Sequence, residues 1–207
     1  MTPAAVSLLS TTAPPTSTAT GVPPPSAPGA RTTAELTVRV ALALLAAVAA
    51  VALLVRLLAA GRLRGWLGFP FTGVPATLPE AGRIFTHNAS AMLGVFGLLL
   101  IAQLAARRPQ GAATVHRFIQ RAGELLLAGV IAANLAVVGA ALGAYGPRMA
   151  RAVLPHGPVE LAAFALAIAL YLQGRQRLLT LGHLAATTTA ALALLAAAAV
   201  LEAMVTL

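Results

Sequence analysis

His156 and Glu160 are the residues best placed to do chemistry in this chain. They lie in the stretch Leu154-Pro155-His156-Gly157-Pro158-Val159-Glu160-Leu161. Two prolines bracket an imidazole, and a carboxylate follows where a short polar loop enters the apolar run Ala162 to Leu172. An ionised carboxylate at a membrane boundary is costly and usually has a purpose. One reading makes Glu160 a cap in the first turn of a helix beginning near Pro158, where the helix dipole favours negative charge and His156 holds the loop. A second reading makes the two an acid–base pair or ion site, with His156 as base and Glu160 as its orienter. A third makes them part of a partner-binding surface.

Other polar side chains fall inside or beside apolar runs. His87 and Asn88 stand near the start of one such run, and they meet His156 and Glu160 if both runs enter the membrane from the same side. There they would bind a substrate or a partner. Two histidines and a glutamate are adequate zinc ligands. Their spacing is not a metal motif, however, and the chain has no H-E-x-x-H, so no metal site is expected. Asn134, in mid-run, must find a hydrogen-bond partner that lipid does not offer: another helix, or a substrate path. Glu124, close to Arg117 and Arg121, reads as a surface ion pair. His116 and His183 read as solvated residues in arginine-bearing loops, and Glu202 as the mark of a helix end. The chain has neither Asp nor Cys. That excludes a Ser-His-Asp set, disulfides and thiolate chemistry. No glycine-rich phosphate loop follows a strand, and no cofactor is expected.

The elements that must position these groups follow from composition. Of 207 residues, 59% are hydrophobic and 9% charged, and the mean hydropathy is +0.88. Those proportions exceed the range of soluble domains. Long blocks of Ala, Leu and Val predict an all-α, polytopic membrane helical bundle of about five transmembrane helices. The expected spans are 40–58, 84–106, 122–145, 158–173 and 181–201, within a helical domain 34–207. The span 158–173 is short for a full crossing, which calls for little tilt or a thinned bilayer. Residues 1–33, rich in Pro, Thr, Ser and Ala, read as a disordered tail rather than a signal peptide, because the first positive charge is Arg31. Linker 59–83, with Trp66, Phe69, Pro70, Phe71, Pro75 and Pro79, reads as a segment at the membrane surface. Gly139 and Gly143 have the spacing that lets helices approach closely.

The net charge of +9 comes entirely from Arg against Glu. The arginines sit at the ends of apolar runs, where they snorkel to headgroups, and they form no nucleic-acid-reading patch. With the tail inside, the inner segments hold Arg31, Arg39, Arg107, Arg108, Arg117, Arg121, Arg175 and Arg177. The outer segments hold Arg56, Arg62, Arg64, Arg83, Arg148 and Arg151. The excess favours tail-inside, with the His156 loop outward. The expected partners are the lipid bilayer and other membrane or cell-envelope proteins, with the chain multi-pass in the cell membrane and no nucleic acid bound.

Pro155-His156-Gly157-Pro158-Val159-Glu160-Leu161-Ala162 resembles the P-H-G-x-x-E-L-x segment of the stage II sporulation protein M family. Phe85-Thr86-His87-Asn88 resembles the F-x-x-N-N-like start of a span in that family, with His87 in place of the first Asn. The number and order of spans over residues 35–207 fit as well. The resemblance implies a non-catalytic integral membrane scaffold. Members work with peptidoglycan-degrading partners at the septum of sporulating bacteria, and relatives accompany peptide-bacteriocin maturation, export or immunity systems. The expected function is therefore a scaffold that recruits or supports partner enzymes or a transporter. The alternatives are a membrane-embedded enzyme or enzyme subunit using His156 and Glu160 for proton transfer on a peptide or lipid, and a transporter or immunity protein with Asn134 and Glu160 along its path.

Overall fold

The structure, a computed structural model, describes residues 32–68, 76–107 and 113–204, with backbone alone at 106 and 113–117. Seven helices form among them: α1 (Thr33–Leu58), α2 (Ala60–Leu67), α3 (Leu78–Ala106), α4 (Ala113–Tyr145), α5 (Pro147–Val153), α6 (Gly157–Gly174) and α7 (Leu181–Ala203). The described residues contain no strand. Five helices are long and apolar enough to cross a membrane, in the five places expected. The chain is an all-α, multi-pass membrane protein. The expected disordered tail lies outside the described residues up to Arg31, as do Phe69, Pro70, Phe71 and Pro75 of the linker and the side chain of His116.

Three of the long helices start on a threonine in extended backbone. Thr32 Oγ1 accepts from the Glu35 amide at 3.2 Å, Thr77 from Glu80 at 3.4 Å and Thr180 from His183 at 3.3 Å. Each cap satisfies one of the amides that the first turn leaves without a partner. The caps also explain why α1 and α3 begin earlier than the apolar runs within them. Their first turns carry charged pairs, Glu35 with Arg39 at 2.7 Å and Glu80 with Arg83, so helix extends past the apolar segment. Two short helices were not foreseen. α2 occupies part of the linker and packs against α4, where Tyr145 donates its hydroxyl to the Arg64 carbonyl at 3.1 Å. α5 fills the loop before His156, after a turn at Gly146 whose φ of 58° suits glycine.

α6 is the central helix, packed against α1, α3 and α7. It is apolar on every side, as a helix enclosed by others should be. Ala163, Ala165, Ala167, Ala169 and Leu170 are all buried. With Met92, Val95, Leu98 and Leu99 of α3 and Ala191 and Leu195 of α7, its residues form the core. Its 18 residues span about 27 Å at 1.5 Å per residue, and its neighbours cover it. One cavity opens beside the start of α6, and a second is lined by Arg177, Leu178, Leu179, Thr180 and His183, in the α6–α7 turn and the start of α7.

α1 packs against α4 through the glycine pair. A Cβ on Gly139 would lie 2.7 Å from Val51 Cβ and 2.9 Å from the Val48 carbonyl, and one on Gly143 would lie 2.8 Å from Val55 Cβ. Only glycine permits that approach. The outward faces of α1 and α4 expose leucines such as Leu57, Leu125 and Leu126, an arrangement suited to lipid.

Candidate functional site

The start of α6 is set by its sequence. Pro158 occupies the first turn, where a missing amide costs nothing. His156 stands at the helix N-cap, and its carbonyl accepts from the amides of Val159 and Glu160, each at 3.0 Å. No side-chain hydrogen bond caps this start. Glu160 lies in the first turn, as expected, where the helix dipole favours its charge, but no hydrogen bond from its carboxylate to the helix start is found among the described residues.

The Glu160 side chain instead faces Glu202. His156, Glu160 and Glu202 each offer a ligand atom, and these atoms all lie within 4.8 Å of one another. α6 and α7 are consecutive and pack together, so the last turn of α7 returns to the level where α6 begins. The three side chains open into a cavity of about 250 Å³, whose remaining wall is Arg83, Ile84, His87 and Asn88 of α3. His87 and Asn88 therefore stand beside His156 and Glu160, as the sequence led us to expect. Glu202 was read only as a helix end. One signal could have found it: antiparallel neighbours place the end of the last span beside the start of the one before.

The electrostatics of the site are unbalanced. Arg83, the one cation lining the cavity among the described residues, is bound to Glu80, with its Nε at 2.9 Å from Oε1. His156 Nδ1 is closed off from solvent without a hydrogen-bond partner. Burial holds the His156 imidazole below the usual histidine range, while the Glu202 carboxylate pulls it the other way. The lining contains an imidazole pair, two carboxylates, an amide and a guanidinium, but no hydroxyl or thiol. Such a set can hold a cation or pass protons. It offers no side chain for covalent catalysis by a serine- or cysteine-type route.

Other sequence-level expectations need correction. Asn134 is not part of this site and reaches no other helix. It is exposed on α4, and its Nδ2 donates to the Val130 carbonyl of its own helix at 3.0 Å. That bond satisfies one donor of the amide within its own helix. Glu124 does not form an exposed pair with Arg121. It joins α4 to α6, accepting from the Tyr171 hydroxyl and from Gln120 Nε2 at 3.2 Å, with Arg175 at 3.4 Å. His183 is not simply solvated. Its Nε2 lies 3.1 Å from Thr33 Oγ1, which donates to Gln173 Oε1 at 2.8 Å, so three helices are tied together at the end opposite the His156 cavity. At that end Gln103 of α3 also donates to the Arg177 carbonyl at 3.0 Å and accepts from the Leu179 amide at 3.0 Å, holding the α6–α7 turn.

Comparison with family models, with curated proteins and with solved structures finds no match for this chain.

Proposed function

We propose that this protein is a scaffold of the cell membrane that recruits or supports partner enzymes or a transporter, in cell-wall remodelling or in peptide maturation, export or immunity. The observation that supports the reading is where its polar groups lie. Among the described residues, the buried polar side chains are Gln103, Gln173 and Thr187, and the one ionisable group of the core is the Tyr171 phenol, which donates to Glu124. A transport path needs polar groups at mid-depth, and Asn134, the candidate for one, faces away from the core. The likeness of residues 155–162 and 85–88 to the stage II sporulation protein M family supports the same reading.

Neutral, near-isosteric changes at the cavity should leave a scaffold's partners attached. Tagged wild-type chain and the His156→Gln and Glu160→Gln variants would be purified from native membranes, and the co-purifying proteins quantified. The scaffold reading predicts the same partner set within about twofold. Loss of those partners from both variants, or turnover of a peptide or lipid by the purified chain alone, would overturn it.

A second reading draws on the convergence of His87 and Asn88 with His156 and Glu160. In it the chain is an enzyme or enzyme subunit, with His156 as the base, Glu160 orienting it, and the α3 residues holding substrate. It predicts that the same variants keep their partners but lose product formation.

A further inference from the structure

We propose that His156, Glu160 and Glu202 bind one divalent transition-metal ion of the zinc class, which ties the end of α7 to the start of α6. The proposal stands apart from the scaffold reading, since a metal-loaded chain can serve as scaffold or enzyme.

Four observations carry it. First, one imidazole and two carboxylates bring ligand atoms within 4.8 Å of one another, each on a partly buried residue. Three protein ligands of these types around an open fourth position are a recurrent arrangement for zinc. Second, no hydrogen bond or ion pair to the protein is found for either carboxylate among the described residues, whereas Glu35, Glu80 and Glu124 each have one. Arg83, the guanidinium lining the cavity, is hydrogen-bonded to Glu80 and attracts Glu202 only from a distance. Two ionised carboxylates so placed repel each other unless one takes up a proton or a cation lies between them. A divalent ion would cancel both. Third, His156 Nδ1 is buried without a partner, an uncommon state for an imidazole nitrogen. Fourth, the three side chains open on a cavity that gives the ion a way in and leaves space for a further ligand, water or His87. The imidazole sets the preference: nitrogen ligands favour zinc and its neighbours, whereas magnesium and calcium favour oxygen alone.

The site escaped the sequence because its third ligand is remote. His156 and Glu160 sit at one end of α6 while Glu202 ends α7, and no local spacing links them.

The test uses the full-length chain in detergent, stripped with chelator and titrated with zinc chloride by calorimetry, with bound metal counted by mass spectrometry. Wild type should saturate at one zinc per chain, undisturbed by excess magnesium. His156→Gln, Glu160→Gln and Glu202→Gln should each bind at least tenfold more weakly, while Glu35→Gln, with the same loss of charge at the far end, binds as wild type. His156→Cys should recover binding, because a thiolate is a good zinc ligand. That variant keeps the test decisive if a glutamine variant fails to fold. A wild-type chain that takes up no stoichiometric zinc, or cavity variants that bind it unchanged, would overturn the proposal.

Discussion

At the scale of single residues, what separates the polar groups of this chain is whether each finds a partner locally. Asn134 does, on its own helix, and its exposed position gives it nothing else to hold. Asn134→Leu should therefore shift stability by no more than about 0.5 kcal/mol, as for other surface changes, in a reversible unfolding titration in detergent. A loss several times larger would mean that Asn134 bonds across helices after all. His156, Glu160 and Glu202 are the opposite case, since they have chiefly one another. That His156 and Glu160 stand together was legible from a loop entering an apolar run. That Glu202 joins them was not, because nothing in its neighbourhood, Leu201 to Met204, sets it apart from an ordinary helix end. Glu124 was misread for a related reason: near arginines in sequence are close on one helix, but Tyr171 and Arg175 of α6 are closer in space.

At the scale of elements, hydropathy alone located all five long helices, because lipid requires each to satisfy its backbone internally and to present apolar side chains. It placed the starts of α1 and α3 too late, since their caps and charged first turns lie outside the apolar run, whereas α6 and α7 begin within a residue of the expected positions. It also missed α2 and α5, which are too short and too arginine-rich to show as spans. The glycine spacing in α4, common by chance in a chain this rich in Gly and Ala, proves to be a contact with α1. Gly143→Val forces side-chain atoms into Val55 and should destabilise by about 1–3 kcal/mol, the usual range for overpacking. Gly129→Ala, on the same helix with nothing within 4 Å of the added carbon, should be neutral or slightly stabilising. Chemical unfolding followed by circular dichroism compares the two, and equal effects would show that α1 does not rest on Gly143.

At the scale of the whole molecule, a short central helix organises everything else. α6 is enclosed by α1, α3 and α7, and its start lies beside a recess. That recess gathers His87, Asn88, His156, Glu160 and Glu202. The opposite end is closed by hydrogen bonds through Thr33, Gln103, Gln173 and His183. The arrangement fits the scaffold proposed above, with an apolar body and outer helices that expose leucines. All of it depends on the ends of α6 and α7 meeting. The chain contains no cysteine, so Glu160→Cys with Glu202→Cys can be introduced alone and treated in membranes with a short bis-thiosulfonate cross-linker. Trypsin cutting at Arg175 and Arg177 then separates the two positions unless they are joined, and mass spectrometry counts the linked peptides. The account predicts that most chains are joined, and that a Glu124→Cys with Glu202→Cys pair, at opposite ends of the bundle, is not. A Glu160–Glu202 yield no higher than that control would contradict it.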